Sequence, residues 1–351
     1  MQRKWLTEWG IPLLLMALFS IVYFFPWYQG YRFKASDQIQ QGYMVYPQEK
    51  AEKERGKPPF WAPHLFSGMP AYLVYYKPEG QYFWTAIDIL GPVFRHYPPL
   101  ILFVGLLGFY VFLRVEGVSW SWALGGAIGF VLTSYYTNMI VATHWGKSNV
   151  LFSVPYVLAG LGLLHRKRWG AGVLLSLLGW AAVAGGNHPQ MAYYALTVIA
   201  AYELKWLIDA WRAKAWRSYF VSLLGIGLTA GVGSLSQIGS LLPFYEYGKY
   251  SIRGGTELER EQEKEVSLKS GLDPAYAQSY SASRAELWTL IIPDFAGGTS
   301  QEDLVQRLGK SSSLREALQS HGIGDVGFLR AVPTYWGGSP FSAGSLSLIH
   351  I

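Results

Sequence analysis

Apolar residues along this chain fall in long uncharged blocks, not in the one-sided stripes of soluble helices. Seven such blocks occupy residues 10–31, 97–113, 118–142, 149–164, 169–184, 191–208 and 219–245. A helix needs about 20 apolar residues to cross a bilayer, so the pattern predicts seven spans. The first block ends in the aromatic cluster Phe24, Phe25, Trp27 and Tyr28 and shows no Ala-x-Ala cleavage site. It reads as a retained span anchored at the interface, not as a signal peptide. Pro98 and Pro99 suit a first helical turn, and Pro155 predicts a kink. Glu203 and Lys205 predict that the sixth span leaves the hydrocarbon early. The expected fold class is an all-α polytopic membrane protein.

Charge gives the blocks a direction. Arg3 and Lys4, then Arg114, then Arg166, Lys167 and Arg168, then Arg212, Lys214 and Arg217 lie in alternate connections. The short connections between them hold Lys147 or no basic residue at all. Basic loops stay on the cytoplasmic side, which predicts a cytoplasmic N-terminus. It also puts Asp37, His144, Lys147, His188 and everything after residue 245 outside. The basic connections show little beyond their charge. Composition agrees with the class: 51% of residues are hydrophobic and 15% charged, against about 25% charged in ordinary soluble domains. The formal charge of +6 is dispersed among loops, so no nucleic-acid partner is expected. Cysteine is absent, which excludes disulfides and thiol chemistry. No Cys/His cluster points to zinc, and no metal ligands are assigned.

The candidate chemistry sits in the outward connections. Residues 32–96 form a long polar and aromatic loop, with a charged segment at 48–57. The stretch PPFWAPHLFSGMPAY at 58–72 should be ordered but non-regular backbone. GGNHPQMAYY at 185–194 joins two apolar blocks. Gly185 and Gly186 can end one helix and Pro189 can start the next. Asn187, His188 and Gln190 at this tip read either as an ordinary hairpin turn or as a polar lip over a site. ATHWGKSN at 142–149 is a short turn anchored by Trp145, or it offers His144 and Lys147 to the same site. Asp37 is a solvated loop carboxylate or a functional one. Ionisable groups from several loops on one face favour function, because desolvating them costs energy. Residues 246–344 look globular and extracytoplasmic. Within them 257–269 is a solvated charged face, and 286–300 is a short re-entrant or surface helix. The tail at 345–351, ending LSLIHI, reads as the in-frame translation of a transposase adapter and is expected to be non-native.

FSGMPAY at 66–72, GNHPQMAYY, SIRGG near Ser251, ELWTLIIPDFAGG and TYWGGSPF occur in this order. Together they resemble the YfhO-type family of bacterial multi-pass membrane proteins, related to the GT-C superfamily of glycosyltransferases. The resemblance implies a GT-C-like helical bundle with large extracytoplasmic loops in the bacterial cytoplasmic membrane. It implies transfer of a sugar from a polyprenyl-phosphate donor to a cell-envelope glycan or lipid acceptor on the outer face. The family's acidic residue after the first span falls on Asp37, which would be the general base or a metal-associated acid. His144, Lys147, His188, Gln190, Arg253 and Arg284 are the outward groups expected to bind the donor. Asp37 has no adjacent carboxylate where related enzymes often carry a pair, so the need for a divalent metal stays open. Family members continue with further spans, so the chain is expected to be an N-terminal fragment. Two other classes remain: a transporter or flippase, which predicts mid-span ionisable residues and an inverted repeat, and a non-catalytic envelope assembly factor.

Overall fold

The computed structural model of the chain describes residues 2–33, 36–75, 81–89, 96–248, 250 and 320. The expectations for the segment 246–344, beyond its first residues and Ser320, and for the tail lie outside the described residues. The chain divides into two compact units, Met1–Glu246 and Tyr247–Ile351, and the helical bundle belongs to the first. Helix α1 (Gln2–Trp5) runs through a π-helical turn (Leu6–Gly10) into α2 (Ile11–Tyr23), followed by α3 (Phe25–Tyr28) and α4 (Ser36–Arg55). A short hairpin, β1 (Trp61–Ala62) and β2 (Met69–Pro70), precedes α5 (Tyr82–Ile89) and α6 (Pro98–Val115). Then come α7 (Trp120–Val131), α8 (Ser134–Val141), α9 (Trp145–His165) and α10 (Trp169–Gly185). The last are α11 (Pro189–Arg212), α12 (Trp216–Leu235) and α13 (Ile238–Gly248).

The described residues are mostly helical, and every one of the seven apolar blocks falls largely on helix. Among the described residues, four helices are long and apolar enough to cross a membrane: Leu6–Tyr23, α6, α9 and α12. The α7–α8 pair, bent by 54°, makes a fifth if it is one broken span. Helix α10 is apolar but has 17 residues, and α11 carries Glu203, Lys205, Asp209 and Arg212 in its second half.

Several boundaries differ from the sequence reading for identifiable reasons. The first helix breaks at Phe24, short of residue 31, because Pro26 withholds the N–H that would continue the ladder. Helix α9 begins at Trp145 instead of 149, so Lys147 lies in its first turn and not in a loop. The seventh block stops as one helix at Leu235 and resumes as α13. The loop at 32–96 contains a 20-residue helix, α4, because Gln, Glu, Lys and Ala are strong helix formers.

Helix α9 is the centre of the bundle. Of its span, 72% is buried, against 17–44% for the other three long helices, and it packs on α6, α8, α10, α11 and α12. Its closest partner is α10, which runs antiparallel to it. A Cβ on Gly160 would lie 2.4 Å from the Ser176 nitrogen, and one on Gly172 would lie 2.9 Å from the Leu164 nitrogen. One on Gly179 would lie 2.8 Å from the Val157 nitrogen, and one on Gly186 3.3 Å from that of Val150. The spacing of Gly172, Gly179 and Gly186 is seven residues, the repeat that keeps one stripe of a helix on its partner. Lipid offers no hydrophobic drive for helix association, so close backbone approach through small residues supplies it. Helix α6 runs parallel to α9: the Phe152 and Tyr156 rings fill the space over Gly105 and Gly108, and the Tyr156 hydroxyl donates to the Val104 carbonyl at 2.8 Å. Helix α12 joins α10 through a Ser176–Thr229 hydroxyl pair at 2.7 Å.

One end of the bundle is tied by acids. Arg114 donates to Glu8 at 2.9 Å. Glu116 accepts from Tyr202 at 2.6 Å and pairs with Arg166 at 3.0 Å and Lys205 at 3.8 Å. His165 meets Glu203 at 3.0 Å and stacks between Trp206 and Tyr219. This corrects the expectation that these connections carry little beyond charge: their basic residues hold α6, α9 and α11 together. Burial resists ionisation of Glu116, but the Arg166 and Tyr202 hydrogen bonds and the Lys205 charge outweigh it and hold the carboxyl below its ordinary range.

This packing sets two expected outcomes. Gly160→Ala should destabilise the detergent-solubilised chain by about 1–3 kcal/mol through overpacking. Gly227→Ala, where nothing lies within 4 Å, should stabilise it by about 0.5–1 kcal/mol. Equal melting shifts for the two would refute the α9–α10 contact. For Glu116, a lowered folded pKa means its contribution is complete above the ordinary Glu value and is lost as pH falls below it. Glu116→Gln should therefore cost about 1–3 kcal/mol at neutral pH and flatten the acid limb of the stability curve.

Candidate functional site

At the opposite end of the bundle three segments converge: the α8–α9 turn, the α10–α11 turn, and the connection from α2 to α4. Helix α8 closes with His144 N–H donating to Met139 O at 2.9 Å and Thr143 N–H donating to Ile140 O at 3.0 Å. This is a Schellman-type close, and the position usually given to glycine is held by Thr143 at φ 59°. A β-branched residue in the left-handed region costs roughly 1–2 kcal/mol, a strain that persists only where the surroundings enforce it. Helix α9 starts directly afterwards with His144 at its N-cap. In its first two turns Lys147 is 7% exposed and Ser148 is fully buried.

The turn after α10 is pressed onto this N-terminus. A Cβ on Gly146 would lie 2.5 Å from the Gly186 oxygen, and one on Gly186 would lie 2.7 Å from the Gly146 oxygen. Neither position has room for a side chain. Asn187 takes a left-handed φ of 48°, which Asn tolerates. His188 then caps α11, its Nδ1 accepting from the Met191 N–H at 3.3 Å. In the neutral ring the proton therefore sits on Nε2, which is left as a donor. Burial holds the His188 titration below its ordinary value, and the charges of Lys147 and then His144 depress it further. These interactions bring three of the sequence-predicted residues, His144, Lys147 and His188, into one cluster. The cap reading of His188 also holds: the cap explains the ring's pose, and the cluster adds its electrostatic setting.

Beside the cluster lies a cavity of about 480 Å³. Trp27, Phe33 and Trp145 give it aromatic walls, while Arg32, Gln38, Gln41, His96 and Thr143 supply polar groups. Thr143 and Trp145, which flank His144 in the chain, line the cavity, whereas His144, Lys147 and His188 are not among its lining residues. Arg32 lies over the Trp27 ring at 4.3 Å and donates to the carbonyls of Trp27 and Tyr31 at 2.9 and 2.7 Å. His96 packs on Trp145 with ring centres 5.4 Å apart. In the sequence Arg32 and His96 stood out only as the ends of the 32–96 connection. Their role was missed because only the fold shows that those two ends meet.

The remaining candidates separate. Asp37 belongs to the first turn of α4, one residue before the cavity-lining Gln38, but its side chain is outside those described. Gln190 donates to the Tyr194 hydroxyl at 3.1 Å within α11. Arg253 and Arg284 lie outside the described residues. Among the described residues, no group of three or more His, Cys, Asp or Glu side chains converges as a metal site.

Chemically, the site offers a buried ammonium, imidazole donors and an exposed guanidinium. Two helix N-termini add their partial positive charge. Such a set suits an anionic group at the bundle mouth. The class so defined is a helical bundle, four of whose helices can cross a membrane, with a basic and imidazole cluster beside an aromatic cavity at one end. No family model, no curated protein and no solved structure matches the chain.

If Lys147 sits beside His188, Lys147→Met should raise the His188 titration midpoint toward its ordinary value of about 6.5. Nitrogen-15 imidazole NMR on the solubilised chain reads this directly. An unchanged midpoint would separate the two residues. The sign for stability is fixed as well: a depressed folded pKa means that His188 subtracts stability as pH falls below its ordinary value.

Proposed function

We propose that the chain is a GT-C-like membrane glycosyltransferase of the YfhO type. In this reading it transfers a sugar from a polyprenyl-phosphate donor to a cell-envelope glycan or lipid acceptor. The bundle end that carries the cavity faces outward from a bacterial cytoplasmic membrane, and the acid-tied basic end faces the cytoplasm. The observation that carries the reading is the cavity itself: aromatic walls suited to a sugar ring stand with Arg32 and His96, which suit a phosphate, and the turn of Thr143 and Trp145 links it to the cluster of His144, Lys147 and His188. In the described candidate spans, the Asp, Glu, Lys, Arg and His residues sit in terminal turns. That favours mouth chemistry over a mid-membrane relay.

The acceptor hydroxyl attacks the sugar's anomeric carbon, forming the new C–O bond as the sugar–phosphate bond breaks. Asp37 takes the hydroxyl proton, and the phosphate departs with the bonding pair, its charge balanced by the basic cluster. The sugar and the acceptor are left to the assay. Transfer of radiolabelled sugar from a polyprenyl-phosphate donor by the purified chain tests the proposal. Asp37→Asn should lower the rate by about 10²–10⁴-fold. A rate within about twofold of wild type would remove Asp37 from the chemistry and favour a non-catalytic role.

A further inference from the structure

Between α4 and α5 the chain builds a small module with its own core. Ala62, Leu65 and Ala71 are buried, with Met69 and Val74 packed on them. The module is fastened to α4: His64 Nε2 donates to the Met44 carbonyl at 2.8 Å, Tyr75 bonds Glu52, and the Gln48 side chain is buried at the junction. The β1–β2 ladder pairs Trp61 with Pro70 and Ala62 with Met69. Its connecting loop ends in three consecutive left-handed residues, Phe66 (φ 46°), Ser67 (φ 62°) and Gly68 (φ 116°). Gly68 is required there, since a Cβ would strike the Trp61 indole at 2.8 Å. Phe66 has no such excuse. It adopts a conformation unfavourable for a bulky residue and ends up 83% exposed.

Beside this tip the hairpin also exposes Phe60 and Trp61. Residues 38–47 and 58–75 contain no Asp, Glu, Lys or Arg, whereas Glu49 to Arg55 concentrate the charge in the other half of α4. Neutral surface rich in Trp, Tyr and Phe is the composition of a membrane–water interface belt. The tether is short: residues 24–35 separate the end of α2 from the start of α4. That is at most about 40 Å of extended chain. Gln38 and Gln41 hold the start of α4 at the bundle-mouth cavity.

We propose that this hairpin, led by Phe66, is a lipid-docking wedge: its exposed aromatic face inserts into the headgroup region of the membrane that the bundle crosses. Left-handed backbone at the tip presents Phe66 outward, and the contacts with α4 hold the face rigid. Because the patch is uncharged, docking should not depend on anionic lipid. The inference rests on the apolar helices and not on glycosyl transfer, so the two stand or fall separately.

The chain has no cysteine, so single spin labels can be placed cleanly. The full chain carrying Phe66→Cys, Phe60→Cys or Lys53→Cys would be labelled and reconstituted in phosphatidylcholine vesicles, with and without phosphatidylglycerol. Collision of each label with oxygen, which partitions into lipid, is compared with collision with a water-soluble nickel chelate. Labels at 66 and 60 should favour oxygen in both lipid mixtures, and the label at 53 should favour nickel. Phe60 precedes β1, outside the left-handed stretch, so it reports even if the strained tip tolerates replacement poorly. Nickel access at 66 and 60 equal to that at 53 would overturn the proposal. So would protection that appears only on adding a soluble glycan, which would assign the face to sugar instead.

Discussion

The close approach of α9 and α10 is the contact on which the rest of the described structure depends. It exists because glycine stands wherever the two backbones touch, at 160, 172, 179 and 186. In an apolar solvent that approach replaces hydrophobic burial as the source of cohesion. From it the arrangement spreads outward: α6 packs parallel to α9 through Gly105 and Gly108, and α12 joins α10 through Ser176 and Thr229. The last contact of the series, Gly146 against Gly186, has passed from helix packing to site building. It sets the α10–α11 turn on the α9 N-terminus and so brings His188 beside Lys147.

The two ends of the bundle solve the problem of buried charge differently. At one end Arg114, Arg166, Lys205 and His165 meet acids, and the Glu116 carboxyl is held ionised by Arg166, Tyr202 and Lys205. At the other, Lys147, largely buried, and His144 lie near His188, whose protonation burial and their charges suppress. Paired charge gives cohesion and leaves little for a ligand. Basic and imidazole groups brought together at a bundle mouth suit an anionic ligand. For that reason the cluster, and not the more numerous ion pairs, is the candidate site.

The helices were legible because uncharged blocks of this length have few alternatives, and the cluster was legible because polar residues at apolar turns stand out. His144, Lys147 and His188 were singled out for that reason and prove to be neighbours. Helix ends were less legible. Pro26 shortens the first helix, and Lys147 enters α9, effects that depend on single residues and not on the average of a window. Helix α4 was missed because Pro47 and Gly42 argue against helix, while the Gln- and Glu-rich residues around them prevail. The glycine stripe on α10 was visible as a seven-residue spacing, but its partner was not. Arg32, His96 and Thr143 could not be placed, because what joins them is tertiary.

Glycine contacts along α9 and α10 thus build the mouth of the site. Magic-angle-spinning NMR of the glycine- and serine-labelled chain in bilayers probes them without an intermediary, through the short-mixing carbon spectrum. A through-space cross-peak between Gly146 and Gly186 is expected, together with the Gly160–Ser176 contact. A spectrum that keeps Gly160–Ser176 but lacks Gly146–Gly186 would contradict this origin of the site, since the turn carrying His188 would then stand apart from the α9 N-terminus.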